Sequence, residues 1–157
     1  MFMPPYSLFE THLDVRDLER SIAFYRDVVG LEFAFRLAER HVAFFWIGGR
    51  GHSMLGLWSG SSSPNVMRLH TALALDLDTV LASPSALRRS GVEPLDFHGR
   101  PATEPSVIGW MPAASVFFND PDSHLLEYLA MLPHQPRPEA GVVPYGEWLA
   151  RWAREAG

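Results

Sequence analysis

The same order of predicted elements occurs twice along this sequence. In the first half, a predicted strand that carries His12 precedes an amphipathic helix ending at Gly30. In the second half, a predicted strand that carries His70 precedes a helix ending before Gly91. His70 follows His12 by 58 residues (70 − 12), and Glu127 follows His70 by 57 (127 − 70). Because a repeated order of elements at a fixed period indicates a duplicated unit, we expect two modules of the same fold.

The first module, residues 7–59, is predicted to contain one strand, one helix and three further strands. Residues 7–15 alternate between apolar and polar side chains, which is typical of a half-buried strand. Asp17 is a suitable N-cap for a helix that continues to about Val29, with apolar residues at helical spacing. The three strands that complete the module are predicted at 31–37, 41–47 and 52–58.

The second module, residues 67–132, follows a polar stretch, 60–66, that we interpret as a linker. Its helix is predicted to be capped by Asp78 or Ser83. Pro84 leaves this choice open, because proline suits the first position of a helix and disrupts the interior. Strands are predicted at 68–75, 92–97, 107–111, 114–118 and 125–131.

Residues 133–157 form a predicted C-terminal extension to this single domain. A proline-rich stretch leads into a short amphipathic helix at 145–155, with Trp148, Leu149 and Trp152 on one side. We expect this helix to dock on its own domain or on a partner. The predicted fold class is therefore α+β, with two βαβββ modules and a C-terminal helix.

The composition excludes several functional classes. The 157 residues have a formal net charge of −5, and Lys and Arg are scattered, which argues against nucleic-acid binding. The absence of cysteine excludes disulfides, thiolate metal sites and a cysteine nucleophile. No apolar run is long enough to cross a membrane, and the first residues lack the features of a signal peptide. We expect a soluble, cytoplasmic protein.

Three residues in the middle of predicted strands form a candidate metal site: His12, His70 and Glu127. Glu127 lies on a strand face that is otherwise apolar, where a carboxylate is costly unless it is paired, hydrogen-bonded or bound to a metal. Two imidazoles and one carboxylate form the facial triad of non-haem iron sites, and the same set can hold Zn²⁺ with a water. Either histidine alone would be interpreted as an ordinary core or edge residue. The three together, within the repeat, favour a metal.

The chain resembles the vicinal oxygen chelate superfamily, the glyoxalase/bleomycin resistance/dioxygenase proteins, over residues 7–131. Two segments carry this resemblance: residues 17–33, DLERSIAFYRDVVGLEF, and residues 118–127, FNDPDSHLLE. The resemblance implies that the two βαβββ modules form a curved mixed-sheet cup around one divalent metal. It also implies that His12, His70 and Glu127 are the ligands. Gly56 stands where glyoxalase I enzymes of this superfamily carry a further acidic ligand.

The resemblance implies a metal-dependent enzyme that acts on a small molecule through vicinal oxygens. Gly56 argues against glyoxalase I activity and favours the three-ligand pattern of the dioxygenases and thiol transferases. The metal, Fe, Mn, Zn or Ni, and the choice among dioxygenase, lyase and transferase stay open. The alternative function is a metal-free protein of the bleomycin-resistance type that sequesters a drug. In either case the resemblance implies a homodimer.

Four further residues are candidates for contacts with the substrate. His41 is a candidate acid or base, and Trp58 and Trp110 are candidate walls of an apolar pocket. Arg40 is a candidate contact for an anionic substrate. The alternative for each is an ordinary role in the core or on the solvated surface.

Overall fold

The chain divides into two compact units in the computed structural model, which describes residues 7–60 and 67–155, with side chains through Ala153. Among the described residues, the first unit joins those up to Leu69 with the short segment Asp120–His124. The second joins His70–Asn119 with the chain from Leu125 onward. Most of the predicted linker lies outside the described residues.

The first unit is a βαβββ module with a four-stranded mixed sheet. Strand β1 is parallel to β4, the other neighbours are antiparallel, and the strand order is β1-β4-β3-β2. The elements are β1 (Glu10–Val15), α1 (Leu18–Asp27), β2 (Glu32–Leu37), a 3₁₀ turn (Ala38–Arg40), β3 (Val42–Ile47) and β4 (Ser53–Ser59).

Helix α1 follows the predicted pattern and covers one face of this sheet. The side chain of Asp17 accepts a hydrogen bond from the Arg20 amide at 3.0 Å, and Gly30, after the helix, has a left-handed φ of +80°, which glycine adopts readily. The apolar core formed by the helix and the sheet contains Leu13, Val15, Leu18, Ile22, Tyr25, Phe45, Leu55 and Leu57. Because side chains alternate along each strand, this core leaves His12 on the opposite face of the sheet.

The turn Asp120–His124 lies within one of the two segments that resemble the family, and it belongs to the first unit. The ring of His124 is buried; its Nδ1 accepts from the Leu69 amide at 3.1 Å, and its Nε2 donates to the Asp14 carbonyl at 2.5 Å. The Tyr25 hydroxyl donates to the carboxylate of Asp120 at 2.9 Å. These side chains fix the turn to β1 and α1.

The second unit is a βαβββ module extended by a ninth strand and a helix. Strand β5 is parallel to β8, the other neighbours are antiparallel, and the order is β5-β8-β7-β6-β9. The elements are β5 (His70–Ala74), α2 (Leu77–Arg89), β6 (Ser106–Ile108), β7 (Ala113–Asn119), β8 (Leu125–Met131), a 3₁₀ turn (Pro138–Ala140), β9 (Val142–Pro144) and α3 (Tyr145–Glu155).

The predicted caps of α2 are wrong: Asp76 caps this helix. Its carboxylate accepts from the amide and the hydroxyl of Thr79, at 2.9 and 2.7 Å, and these hydrogen bonds lower the pKa of Asp76. Pro84 lies inside the helix and has no N–H to donate to the Val80 carbonyl. The Ser83 hydroxyl donates to that carbonyl at 2.8 Å instead, which explains how the helix continues past the proline.

The strand predicted at 92–97 is also wrong. Leu95 makes only isolated bridges, to Pro101 and Phe117. Pro94 has no backbone N–H, and the Val92 amide donates to the Leu87 carbonyl at the end of α2. These two residues therefore have no backbone donor free for pairing with a neighbouring strand.

The C-terminal extension docks on its own unit. Strand β9 pairs with β6, and the fully buried Trp148 of α3 donates from Nε1 to Nδ1 of His134 at 2.8 Å. The His134 ring also stacks on Trp152, with centroids 4.7 Å apart. In the described residues we find no helix with the length and apolar character needed to span a membrane.

Candidate metal and substrate site

The second unit brings two of the predicted metal ligands together. Glu127 lies in β8, between Ala72 of β5 and Phe117 of β7 in the sheet register. Its side chain is only 6% exposed, and Oε2 lies 3.1 Å from Nε2 of His70. His70 begins β5, and its side chain is 50% exposed. The contact joins a buried carboxylate to an imidazole that solvent reaches.

Glu127 has one oxygen that these contacts leave unsatisfied. Oε1 is buried and has no hydrogen-bond partner among the described residues. A buried polar atom without a partner is costly, and a bound cation or ligand can remove that cost by pairing with the atom. The imidazole, the carboxylate and the unpartnered oxygen therefore fit a divalent metal.

The same sheet face provides an apolar wall and a second unpartnered atom. The ring of Phe117 lies 6.1 Å from that of His70, and Phe97 packs edge-on against Phe117 at 6.0 Å. Ser115 lies two residues before Phe117 in β7, and its buried Oγ makes no hydrogen bond to the described residues. The second unit thus places aromatic carbon on one side of its polar pair.

The third predicted ligand, His12, belongs to the first unit and is engaged there. Its Nδ1 accepts a hydrogen bond from the indole Nε1 of Trp58. Its Nε2 lies 3.0 Å from Oε1 of Glu10, its neighbour on the same face of β1. Both ring nitrogens of His12 therefore have polar partners within the first unit.

Gly56 provides the space for this imidazole. It faces His12 across the parallel β1–β4 pair. A Cβ added at Gly56 would lie 2.7 Å from Cε1 of the ring and closer still to Nδ1. The imidazole fills the place of a side chain at Gly56, where the resemblance would have put an acidic ligand.

Two predicted substrate residues join His12. The guanidinium of Arg40 lies over the ring of Trp58, 4.8 Å from its centroid, within the range of a cation–π interaction. The ring of Phe44 meets His12 edge-on at 6.0 Å. His12, Trp58, Arg40 and Phe44 form what we call the aromatic cluster of the first unit.

The other two candidates stand apart from these groups. His41 does not begin a strand: it is an exposed residue with a left-handed φ of 51°, directly before β3. Trp110 is 64% exposed in the turn between β6 and β7. Neither side chain makes a hydrogen bond or ring contact with a described residue of its own unit. Their roles stay predictions.

Sequence reasoning did not assign a role to Glu10 or Ser115. Glu10 could have been found, because it alternates with His12 on the polar face of β1. Nothing in the sequence marks Ser115 as a buried hydroxyl without a partner. Taken separately, neither unit gathers three His, Asp or Glu side chains around one point within its described residues.

Two βαβββ units define the class of protein, with an imidazole on the first strand of each and a carboxylate on β8, the strand that completes the βαβββ order of the second. Each contains the βαβββ module that is typical of the vicinal oxygen chelate fold. The chain belongs to the Glyoxalase/Bleomycin resistance protein/Dioxygenase superfamily, which matches residues 8–128.

Several solved structures are similar to this chain. An integron cassette protein from the mobile metagenome of the Halifax Harbour sewage outfall is 28% identical, with a TM-score of 0.69; the match covers 81% of this chain and 100% of that one. Lactoylglutathione lyase from Agrobacterium tumefaciens is 24% identical, with 82% and 96% covered and a TM-score of 0.63. A glyoxalase/bleomycin resistance protein/dioxygenase from Nocardioides is 22% identical, with 87% and 91% covered and a TM-score of 0.61. The latter two likenesses show the fold alone. No curated protein matches the chain.

Proposed function

We propose that this protein is a divalent-metal-dependent enzyme that acts on a small molecule through vicinal oxygens. The proposed ligands are His12, His70 and Glu127. One observation carries the proposal: the carboxylate of Glu127 is buried beside His70, and its Oε1 has no partner among the described residues. Fe, Mn, Zn and Ni are the candidate metals.

Electrostatics favours a cation at Glu127. A carboxylate removed from water loses its hydration, and a single contact to a half-exposed imidazole compensates only one of its oxygens. A divalent cation would satisfy both the charge and the free oxygen. The resemblance to the family supplies the remaining ligand, His12, from the first unit.

The metal, when bound, supplies a Lewis acid that polarises oxygens of the substrate. The chain's own residues supply recognition. The guanidinium of Arg40 over Trp58 offers positive charge to an anionic group, and exposed His41 is the candidate acid or base. The imidazole packed on Gly56 disfavours an additional acidic ligand, which favours the dioxygenase and transferase branches over glyoxalase I.

The second candidate function is metal-free sequestration of a flat ligand. The specific observation in its favour is the aromatic cluster, in which both nitrogens of His12 already have partners. In either case we propose a cytoplasmic homodimer, and the absence of cysteine is compatible with a reducing compartment.

Metal analysis of untagged protein tests the proposal. We expect about one equivalent of Fe, Mn, Zn or Ni per chain by mass spectrometry, and its loss in Glu127→Gln, which keeps the size but removes the charge. The matched control is Glu93→Gln, at an exposed carboxylate of the same unit, which should keep the metal. A wild-type protein that lacks metal and takes none up on incubation would favour sequestration.

A further inference from the structure

The hydrogen bonds of His12 determine which of its ring nitrogens carries the proton. An indole Nε1–H only donates, so Nδ1 of His12 accepts from Trp58 and carries no hydrogen. The proton of the neutral ring is therefore on Nε2, where it faces the carboxylate of Glu10 at 3.0 Å. The imidazole is held at both nitrogens.

This arrangement competes with metal binding. A histidine ligand offers the lone pair of one nitrogen and carries its proton on the other. If Nε2 of His12 bound a metal, Nδ1–H would point at the N–H of Trp58, and two donors would face each other. If Nδ1 bound the metal, it would first have to lose the hydrogen bond from Trp58.

Two residues beside the ring, Trp58 and Gly56, and one beside the indole, Arg40, maintain this arrangement. Trp58 pairs with Asp14 in the register, so its indole lies diagonally across the parallel pair from His12. Gly56 leaves the space that the imidazole fills, and the guanidinium of Arg40 packs on the indole. All of these residues lie in the first unit.

We propose that Trp58 is a positioning residue that keeps His12 in its Nε2–H form and must release it before His12 can bind a metal. The consequence for metal affinity rests on the proposed function. Trp58 would therefore lower the metal affinity of the site. Tight metal binding would require conditions, or a bound substrate, that turn the indole away from His12.

Metal titration tests the consequence. Calorimetry with Zn²⁺ should show that Trp58→Phe, which keeps an aromatic ring but has no donor, binds roughly three- to tenfold more tightly than wild type, the range expected for one hydrogen bond. Trp46→Phe, at another tryptophan in the same sheet, is the matched control and should leave the affinity unchanged. An affinity in Trp58→Phe that equals or falls below that of wild type would overturn the proposal.

Nuclear magnetic resonance of metal-free protein tests the hydrogen bond separately from the function. We expect two-bond ¹⁵N–¹H correlations to place the proton of His12 on Nε2, and the indole N–H resonance of Trp58 to shift in His12→Ala. If no variant binds Zn²⁺, the proposed function fails, whereas these spectra still decide the role of Trp58. An indole resonance that His12→Ala leaves unchanged would overturn that role.

Discussion

One oxygen of the Glu127 carboxylate, Oε1, has no hydrogen-bond partner among the described residues. Replacing Glu127 with Leu removes the buried charge and the unpartnered Oε1, while half-exposed His70 keeps access to water. In chelator-treated protein we therefore expect the free energy of unfolding, measured by urea denaturation, to rise by about 1–2 kcal/mol. Glu93→Leu, at an exposed site, should change it by less than about 0.5 kcal/mol. A destabilised Glu127→Leu variant would show that the carboxylate makes a net favourable contribution without metal.

Tyr128 is a second buried residue on β8, and the pKa of its hydroxyl can be measured. Burial raises its pKa to about 12. The folded protein holds this proton more tightly than the unfolded chain, whose tyrosine pKa is about 10. The stability that Tyr128 contributes is therefore fully present below about pH 10 and is lost as the pH rises through 12. An ultraviolet titration should show a phenolate transition near pH 12 that is absent in Tyr128→Phe. A transition in Tyr128→Phe identical to that of wild type would contradict this assignment.

The residues of the site differ in how well the sequence predicted them. Strand alternation placed Glu127 on a face where it needed a partner, and His70 is that partner. The hydrogen bond from Trp58 to His12 was not predicted, because it depends on the rotamers of both side chains and on the space above Gly56. Local patterns indicate which face a residue occupies, and they do not determine which atoms meet there.

Helix α2 shows how one side chain lets a helix continue through a proline. Ser83→Ala removes the hydroxyl that serves the Val80 carbonyl and leaves that acceptor without its donor in a buried position. We expect a loss of about 1–2 kcal/mol in the free energy of unfolding, measured by urea denaturation.

The same substitution at Ser85 is the matched control for α2. Ser85 is exposed on this helix, and alanine is the better helix former, so Ser85→Ala should be neutral or slightly stabilising. Equal effects of the two substitutions would show that the Ser83 hydroxyl does not replace the missing N–H of Pro84. The cap was mispredicted because Asp76, Asp78 and Ser83 are all suitable N-cap residues, and the hydrogen bond from the Thr79 amide that distinguishes Asp76 is visible only in the structure.

For the whole molecule, element order was more predictable than long-range packing. Helical and strand periodicity predicted both βαβββ modules, β8 and α3, because these signals lie within a few residues of each other. The membership of Asp120–His124 in the first unit was not predicted. It depends on contacts such as Tyr25 to Asp120, which join residues 95 positions apart and leave no local pattern.

The claim that one metal unites His12, His70 and Glu127 concerns both units and is tested most directly by crystallography. The measurement is an anomalous difference map of protein crystallised with Zn²⁺, recorded at the zinc edge. We predict one peak per chain, about 2.0–2.2 Å from a nitrogen of each histidine and an oxygen of Glu127, with the indole of Trp58 turned away from His12. A peak that lacks any of these three ligands, or no peak at a metal concentration that saturates the protein in solution, would contradict the account.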